Sequence, residues 1–136
     1  SEVAKTKTLD QAAALGMTSI DYEVKDLSQI QLPAEEFDAV ALVYVHLPLA
    51  VKKHLHTQCV QCLKPGGKLI IEVFAKDQLQ YNSGGPKDAA LLHSLKDLAE
   101  DFAGLKIIQQ EEVITMLKEG HFHSGPASVV RFVAVK

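Results

Sequence analysis

Four groups of residues in this 136-residue chain have the types that do chemistry. Val43, Tyr44 and His46 close an unbroken apolar run, and a histidine there offers a base that titrates near neutral pH. Glu119, His121 and His123 sit in a polar stretch, with both histidines on one side if that stretch is extended. Two imidazoles and a carboxylate suit a metal as well as a polar substrate, and the bland alternative is a polar hairpin end. Tyr81, Ser83 and Gly84-Gly85-Pro86 form a loop of the kind that covers substrates or merely connects two elements. His54, His56, Cys59 and Cys62 fall within nine positions and tempt a zinc reading. On one helix, however, these side chains drift around the surface, whereas closed zinc sites draw ligand pairs from two elements. Small cysteines on a buried stripe are the favoured account, and no metal is expected.

The elements that must position these groups follow from pattern. Glu2 to Leu15 lacks Pro and Gly and reads as a helix stopped by Gly16. Ser19 to Val24 is a short strand candidate, and Asp26 with Leu27 lies in the polar connection after it. By its type alone, Asp26 is a loop carboxylate that caps a turn. Ala39 to Val45 is Val-rich and uninterrupted, the signature of a strand buried on both faces of a parallel sheet. Leu49 to Leu63 places Val51, Leu55, Cys59 and Cys62 at near-helical spacing. Leu63-Lys64-Pro65-Gly66-Gly67 ends that helix, and Leu69 to Phe74 is the next strand. Ala75 to Lys87 reads as a loop and Asp88 to Phe102 as a helix with Leu91, Leu95, Leu98 and Phe102 on one face. Leu105 to Gln110 and Ser128 to Val135 complete the strands, with too little helix between them for a parallel crossover. The expectation is one α/β domain over residues 1–136, its sheet mostly parallel with an antiparallel last strand.

Composition narrows the function classes. A hydrophobic share of 47% and mean hydropathy of +0.05 belong to a folded globular chain. No apolar run nears the ~20 residues of a membrane helix, so no membrane partner is expected. A net charge of -3 without a basic cluster gives no reason to bind nucleic acid. The two cysteines one helical turn apart suit a reducing cytoplasm better than a disulfide scaffold.

Phe37-Asp38 at the mouth of a Val-rich strand, followed by Leu63-Lys64-Pro65-Gly66-Gly67 before the next, resembles class I S-adenosylmethionine-dependent methyltransferases. The likeness covers essentially the whole chain. More narrowly, His46-Leu47-Pro48, Gln78, Ser83 to Pro86, Glu119-Gly120, His121 and Gly125 look like small bacterial members near the tellurite-resistance type. The resemblance implies a Rossmann-like sheet whose antiparallel last strand is inserted beside the fifth. It implies S-adenosyl-L-methionine as cofactor and a small-molecule methyl acceptor. By the same resemblance Asp26 and Leu27 contact the adenine, and Val43 and Tyr44 line the methionine part. His46 faces the transferred methyl or the substrate, His121 shares the catalytic role, and Tyr81 and Glu119 belong to the substrate pocket.

The family's first two strands and its Gly-rich turn have no counterpart in this sequence, so the expected fold is the N-terminally truncated form. Without its neighbour, the Ala39–Val45 strand keeps an open edge, and buried unpaired backbone groups cost ~1–3 kcal/mol each. Such an edge invites a second chain, and a homodimer is expected. Two readings result: a methyltransferase in truncated form, and a non-catalytic fragment of that fold that self-associates. A nucleotide-dependent dehydrogenase is a weaker third, since the antiparallel last strand argues against it.

Overall fold

Four strands, β1 (Phe37–Val43), β2 (Leu63–Phe74), β3 (Lys106–Lys118) and β4 (Ser124–Val135), pair in the order β1-β2-β4-β3. The computed structural model describes residues 1–118, 120 and 122–136. β1 and β2 run parallel, while β4 is antiparallel to both β2 and β3. The last strand is therefore inserted beside β2, the position expected for this mixed sheet. The helices are α1 (Glu2–Ala14), α2 (Leu49–Cys62) and α3 (Leu95–Asp101), with 3-10 turns at Lys76–Gln80 and Ala89–Leu91. Among the described residues no helix is long and apolar enough to cross a membrane.

The chain divides into two compact units, residues 1–30 and 31–136. In the first, the Ser1 hydroxyl caps α1 by accepting from Ala4 N at 3.4 Å. The strand expected over Ser19–Val24 does not form. Ile20 and Val24 stay exposed, and this unit offers no neighbouring strand to pair with.

In the second unit the alternation of β2 sends Leu69, Ile71 and Val73 into the core, each at most 2% exposed. They share it with Leu55, Cys59 and Cys62 of α2, with Leu98 and Phe102, and with Phe132 of β4, whose ring centroid lies 5.9 Å from that of Phe102. The opposite face of β2 carries Ile70 and Glu72 and remains partly open.

Three expectations need correction. β1 is not buried on both faces: Leu42 turns inward, whereas Ala39, Ala41 and Val43 on the opposite face are exposed, and among the described residues its sheet partner is β2 alone. The helix expected over Asp88–Phe102 is broken. Leu92 and His93 run extended and buried, with His93 N donating to Phe74 O at 3.2 Å and Lys76 N donating to His93 O at 3.1 Å. Ser94 then caps a new, shorter helix by accepting from Asp97 N. The strand expected to end at Gln110 continues through the polar stretch, and β3 pairs with β4 as far as Lys118 and Ser124.

The Leu63–Gly67 motif behaves in an unexpected way. Leu63 is already extended and pairs with Phe37, whereas the next pair is Ala39 with Lys68. Residues 64–67 thus bulge from the ladder, and the motif fastens to Lys136 through Gly66 N to Lys136 O (2.8 Å) and Lys136 N to Gly67 O (3.0 Å).

Candidate functional site

At the carboxyl end of β1 the backbone of Tyr44 turns into the left-handed region, with φ of +51°. An L-residue with a large side chain holds that conformation only when its surroundings impose it. Glu72 supplies the constraint twice: Tyr44 N donates to Glu72 O at 2.8 Å, and the Tyr44 hydroxyl donates to Glu72 Oε1 at 3.1 Å. The other carboxylate oxygen, Oε2, accepts from Arg131 Nε at 2.8 Å, and Arg131 Nη1 reaches Glu111 Oε1 at 3.7 Å. One chain of charge and hydrogen bonds therefore crosses from β1 to β3. Glu72, legible in the sequence only as an odd charge in an apolar strand, is its centre.

Phe74, at the end of β2, is the platform on which the site is built. The Tyr44 ring lies 4.8 Å from it and the His46 ring is stacked on it at 5.5 Å. His46 Nδ1 donates to Leu91 O at 3.0 Å, and Nε2 accepts from Phe74 N at 3.4 Å. Burial pushes its pKa down; the Leu91 carbonyl pulls it up and the nearby Lys52 charge adds to the lowering. The result is a neutral imidazole whose two nitrogens both face backbone groups, a strut between the β1–α2 turn and the segment before His93.

The 76–87 segment closes over the same platform. Gly85 (φ +83°) lies flat on Phe74, where an added Cβ would stand 2.7 Å from the ring. Gly84 (φ +117°) meets the β3–β4 turn, and a Cβ there would stand 2.5 Å from the His123 ring. Both positions combine a left-handed backbone with close approach, which leaves only glycine. The segment is held by a buried amide: Gln78 Nε2 donates to Ser83 Oγ (3.1 Å) and Gly84 O (2.9 Å), and Oε1 accepts from Ser128 N (2.8 Å). Ser83 Oγ in turn donates to Pro126 O at 2.6 Å.

The structure thus brings Val43, Tyr44 and His46 to one end of the sheet, beside the segment on which Tyr81 lies. Tyr81 is half-buried; its N–H donates to Gln78 O and its carbonyl accepts from Lys87 Nζ. Glu119 and His121 lie outside the described residues. Asp26 and Leu27 belong to the 1–30 unit. There Asp26 Oδ1 accepts from the Ser28 hydroxyl (2.7 Å) and backbone (2.9 Å), which hold its carboxyl below the usual range.

On the helix-covered side stand further groups, of which the sequence singled out His56 and the two cysteines but not Lys53, His93 or Asp101. His56 Nδ1 donates to Asp101 Oδ2 and Lys53 Nζ to Asp101 Oδ1, both at 2.8 Å. Burial raises the Asp101 pKa, but these two bonds outweigh it and the net shift is down. His93 is 1% exposed, and among the described residues neither ring nitrogen has a hydrogen-bond partner. Burial drops its pKa to about 4, with the Lys52 charge adding to the effect. His93 was hidden because a helical pattern covered it. Cys59 and Cys62 sit in the core, and burial pushes the Cys59 thiol up to about 12, far from a reactive thiolate. Among the described residues no three His, Cys, Asp or Glu side chains are placed to hold a metal ion.

A family described as the methyltransferase domain matches residues 1–71. No curated protein matches the chain at a significant level. Solved structures do. TehB from Haemophilus influenzae superposes with a TM-score of 0.75 at 14% identity, covering 100% of this chain and 47% of its own. A SAM dependent methyltransferase from Aquifex aeolicus gives 0.63 at 14% identity, with coverages of 93% and 60%. An S-adenosylmethionine dependent methyltransferase from Mesorhizobium loti gives 0.67 at 20% identity, with coverages of 96% and 76%. At such identities the likeness speaks for the fold, and the chain spans about half of the TehB chain.

Proposed function

We propose that this chain, which belongs to the methyltransferase domain family, takes part in methyl transfer from S-adenosyl-L-methionine to a small-molecule acceptor at the carboxyl end of β1. The observation that carries the proposal is Tyr44: its left-handed backbone is pinned by Glu72 at the end of β1, where open α/β sheets bind ligands. The residues present fit the cofactor. Val43 leaves apolar surface exposed at that end of the strand, suited to a methionine side chain. When bound, the cofactor supplies a methyl group on a sulfonium, displaced in line by the acceptor.

Such a displacement asks the protein mainly for orientation and exclusion of water. Tyr44, locked by Glu72, presents a rigid wall. Phe74 and the Gly84-Gly85 segment close the side away from solvent. His46 keeps the β1–α2 turn and the segment before His93 in register. Tyr81, with Glu119 and His121, is assigned to the acceptor side. Calorimetric titration with S-adenosylhomocysteine tests the reading. Micromolar binding that Tyr44→Ala weakens is the expected result, and absence of heat up to millimolar ligand overturns the cofactor assignment for this chain.

A second reading rests on β1 as an open edge with Ala39, Ala41 and Val43 exposed. In it the chain self-associates through that edge, forming a homodimer. Sedimentation velocity on the chain and on Ala41→Lys decides: a dimer that the lysine dissociates supports it, and a monomer at all concentrations removes it.

A further inference from the structure

His46, His93 and His56 stand in a row, with ring centroids 5.3 Å apart between the first two and 6.4 Å between the last two. His93 and His56 are buried and His46 is half-buried. The row leads from the candidate site at the end of β1 to the ion pairs that Asp101 makes with Lys53 and His56.

Two of the three imidazoles have no place for a second proton. His46 Nδ1 donates to Leu91 O at 3.0 Å, and Nε2 accepts from Phe74 N at 3.4 Å. A proton on Nε2 would meet that amide donor, so the bond to Phe74 would be lost. The ring nitrogens of His93 have no hydrogen-bond partner among the described residues, and a charge there would be buried without compensation.

No counter-charge is at hand. The groups that face His93 are Lys52 and His56 of α2 and His46 of the turn before it, each of which disfavours a proton on His93. The Val45 carbonyl favours one but is outweighed. On α3, Asp97 is taken by Lys76 at 2.9 Å, Asp101 by Lys53 and His56 at 2.8 Å each, and Glu100 faces Lys96 at 3.8 Å. His56 has Asp101 to receive its charge; His46 and His93 have no such acid.

These two histidines hold a segment with few other anchors. Residues 88–93 are tied to the sheet end by His93 N to Phe74 O (3.2 Å), by Lys76 N to His93 O (3.1 Å) and by the Leu91 carbonyl on His46. The Ala89–Leu91 turn buries no residue, and Leu92 alone packs into the cluster around Phe74. By contrast, β2 is paired with β4 continuously from Lys68 to Phe74. Segments with few buried contacts open locally at a lower cost than the sheet that carries them.

We propose that His46 and His93 form an acid-sensitive latch, whose protonation frees residues 88–93 and the β1–α2 turn from Phe74 while the sheet stays paired. Burial, with the Lys52 charge, holds both imidazoles below the ordinary histidine value, and His93 falls to about 4. The latch is therefore closed above pH 6.5 and opens as the pH falls toward 4, because the opened segment takes up the proton that the closed one refuses. The latch stands apart from the methyl-transfer reading, and no S-adenosyl compound enters its test.

Hydrogen exchange of the ¹⁵N-labelled chain is followed from pH 7 to pH 4. Beyond the change in intrinsic rates, protection of the Lys76 and His93 amides is expected to fall about a hundred-fold, with the β2–β4 ladder still protected at pH 4. His93→Leu, read at Lys76, should cut that fall to about ten-fold or less. Where His93→Leu does not fold, His46→Gln, which keeps a donor and an acceptor but cannot titrate, should reduce the fall as well. Protection at Lys76 and His93 that is independent of pH, a fall unchanged in the variant that folds, or loss of the whole ladder together with these amides overturns the proposal.

Discussion

Gln78 and His93 are each 1% exposed, flank the same turn of chain after β2, and are treated in opposite ways. The Gln78 amide makes three hydrogen bonds and ties the 83–85 segment to β4. The His93 imidazole makes none among the described residues. The loop side of the sheet end is therefore a fully satisfied polar network, which rigidifies, while the helix side keeps polar groups in reserve. The difference teaches where a substitution costs most: the Gln78 side loses satisfied bonds, whereas the His93 ring has none to lose.

The largest expected effect comes from breaking the satisfied side. Gln78→Ala leaves the buried Ser128 N–H without its acceptor and opens a void, for a loss of about 3 kcal/mol in urea unfolding. A loss below about 1 kcal/mol would mean that water replaces the amide and that the contrast is false. Next is the pH response of the other side. The folded-state pKa of His93 falls from 6.5 to about 4, so between these values the unfolded chain binds the proton and the folded chain does not. Stability is then full above pH 6.5 and declines as pH falls toward 4, by about 3 kcal/mol. His46 and His56 are shifted in the same direction by burial and add to the slope. His93→Leu should flatten most of that slope in unfolding curves taken from pH 7 to 4. At pH 7 it should sit within about 0.5 kcal/mol of the parent, since no hydrogen bond is lost. An unchanged slope would place the acid sensitivity elsewhere. The smallest effect is Ser83→Ala, which removes one link to Pro126 and costs about 1 kcal/mol by the same urea measurement. Equality with Gln78→Ala would show that the segment is held at Ser83 rather than at the amide.

Much of the frame was legible without coordinates. The β1–α2–β2 order followed from the Val-rich run, the helical stripe of Leu55, Cys59 and Cys62, and the Pro-Gly-Gly stop. The antiparallel place of β4 was readable from the lack of helix before it. Part of the rest failed for a local reason. Leu91, Leu95, Leu98 and Phe102 fit a helical face, and pattern cannot see that Leu92 and His93 are drawn out of it by backbone bonds to Phe74 and Lys76. Likewise, Val-rich composition made β1 look doubly buried, because periodicity reports what a strand can bury and not what lies beside it. Of the candidate site, Tyr44 and His46 were found from their place after a strand. Glu72, Arg131, Gln78 and Lys52 carried no chemical role in that reading.

By itself, then, the sequence determined the kind of elements, their order and the family motif, since side-chain periodicity and turn residues act over a few positions. Only the tertiary structure decided which charges find partners. Glu72 and Arg131 stand 59 positions apart, and His56 and Asp101 45 apart, so strand register and helix packing bring them within 2.8 Å. Among the described residues the same packing leaves the His93 ring nitrogens without partners, because burial and hydrogen-bond satisfaction belong to the assembled neighbourhood and not to any residue alone.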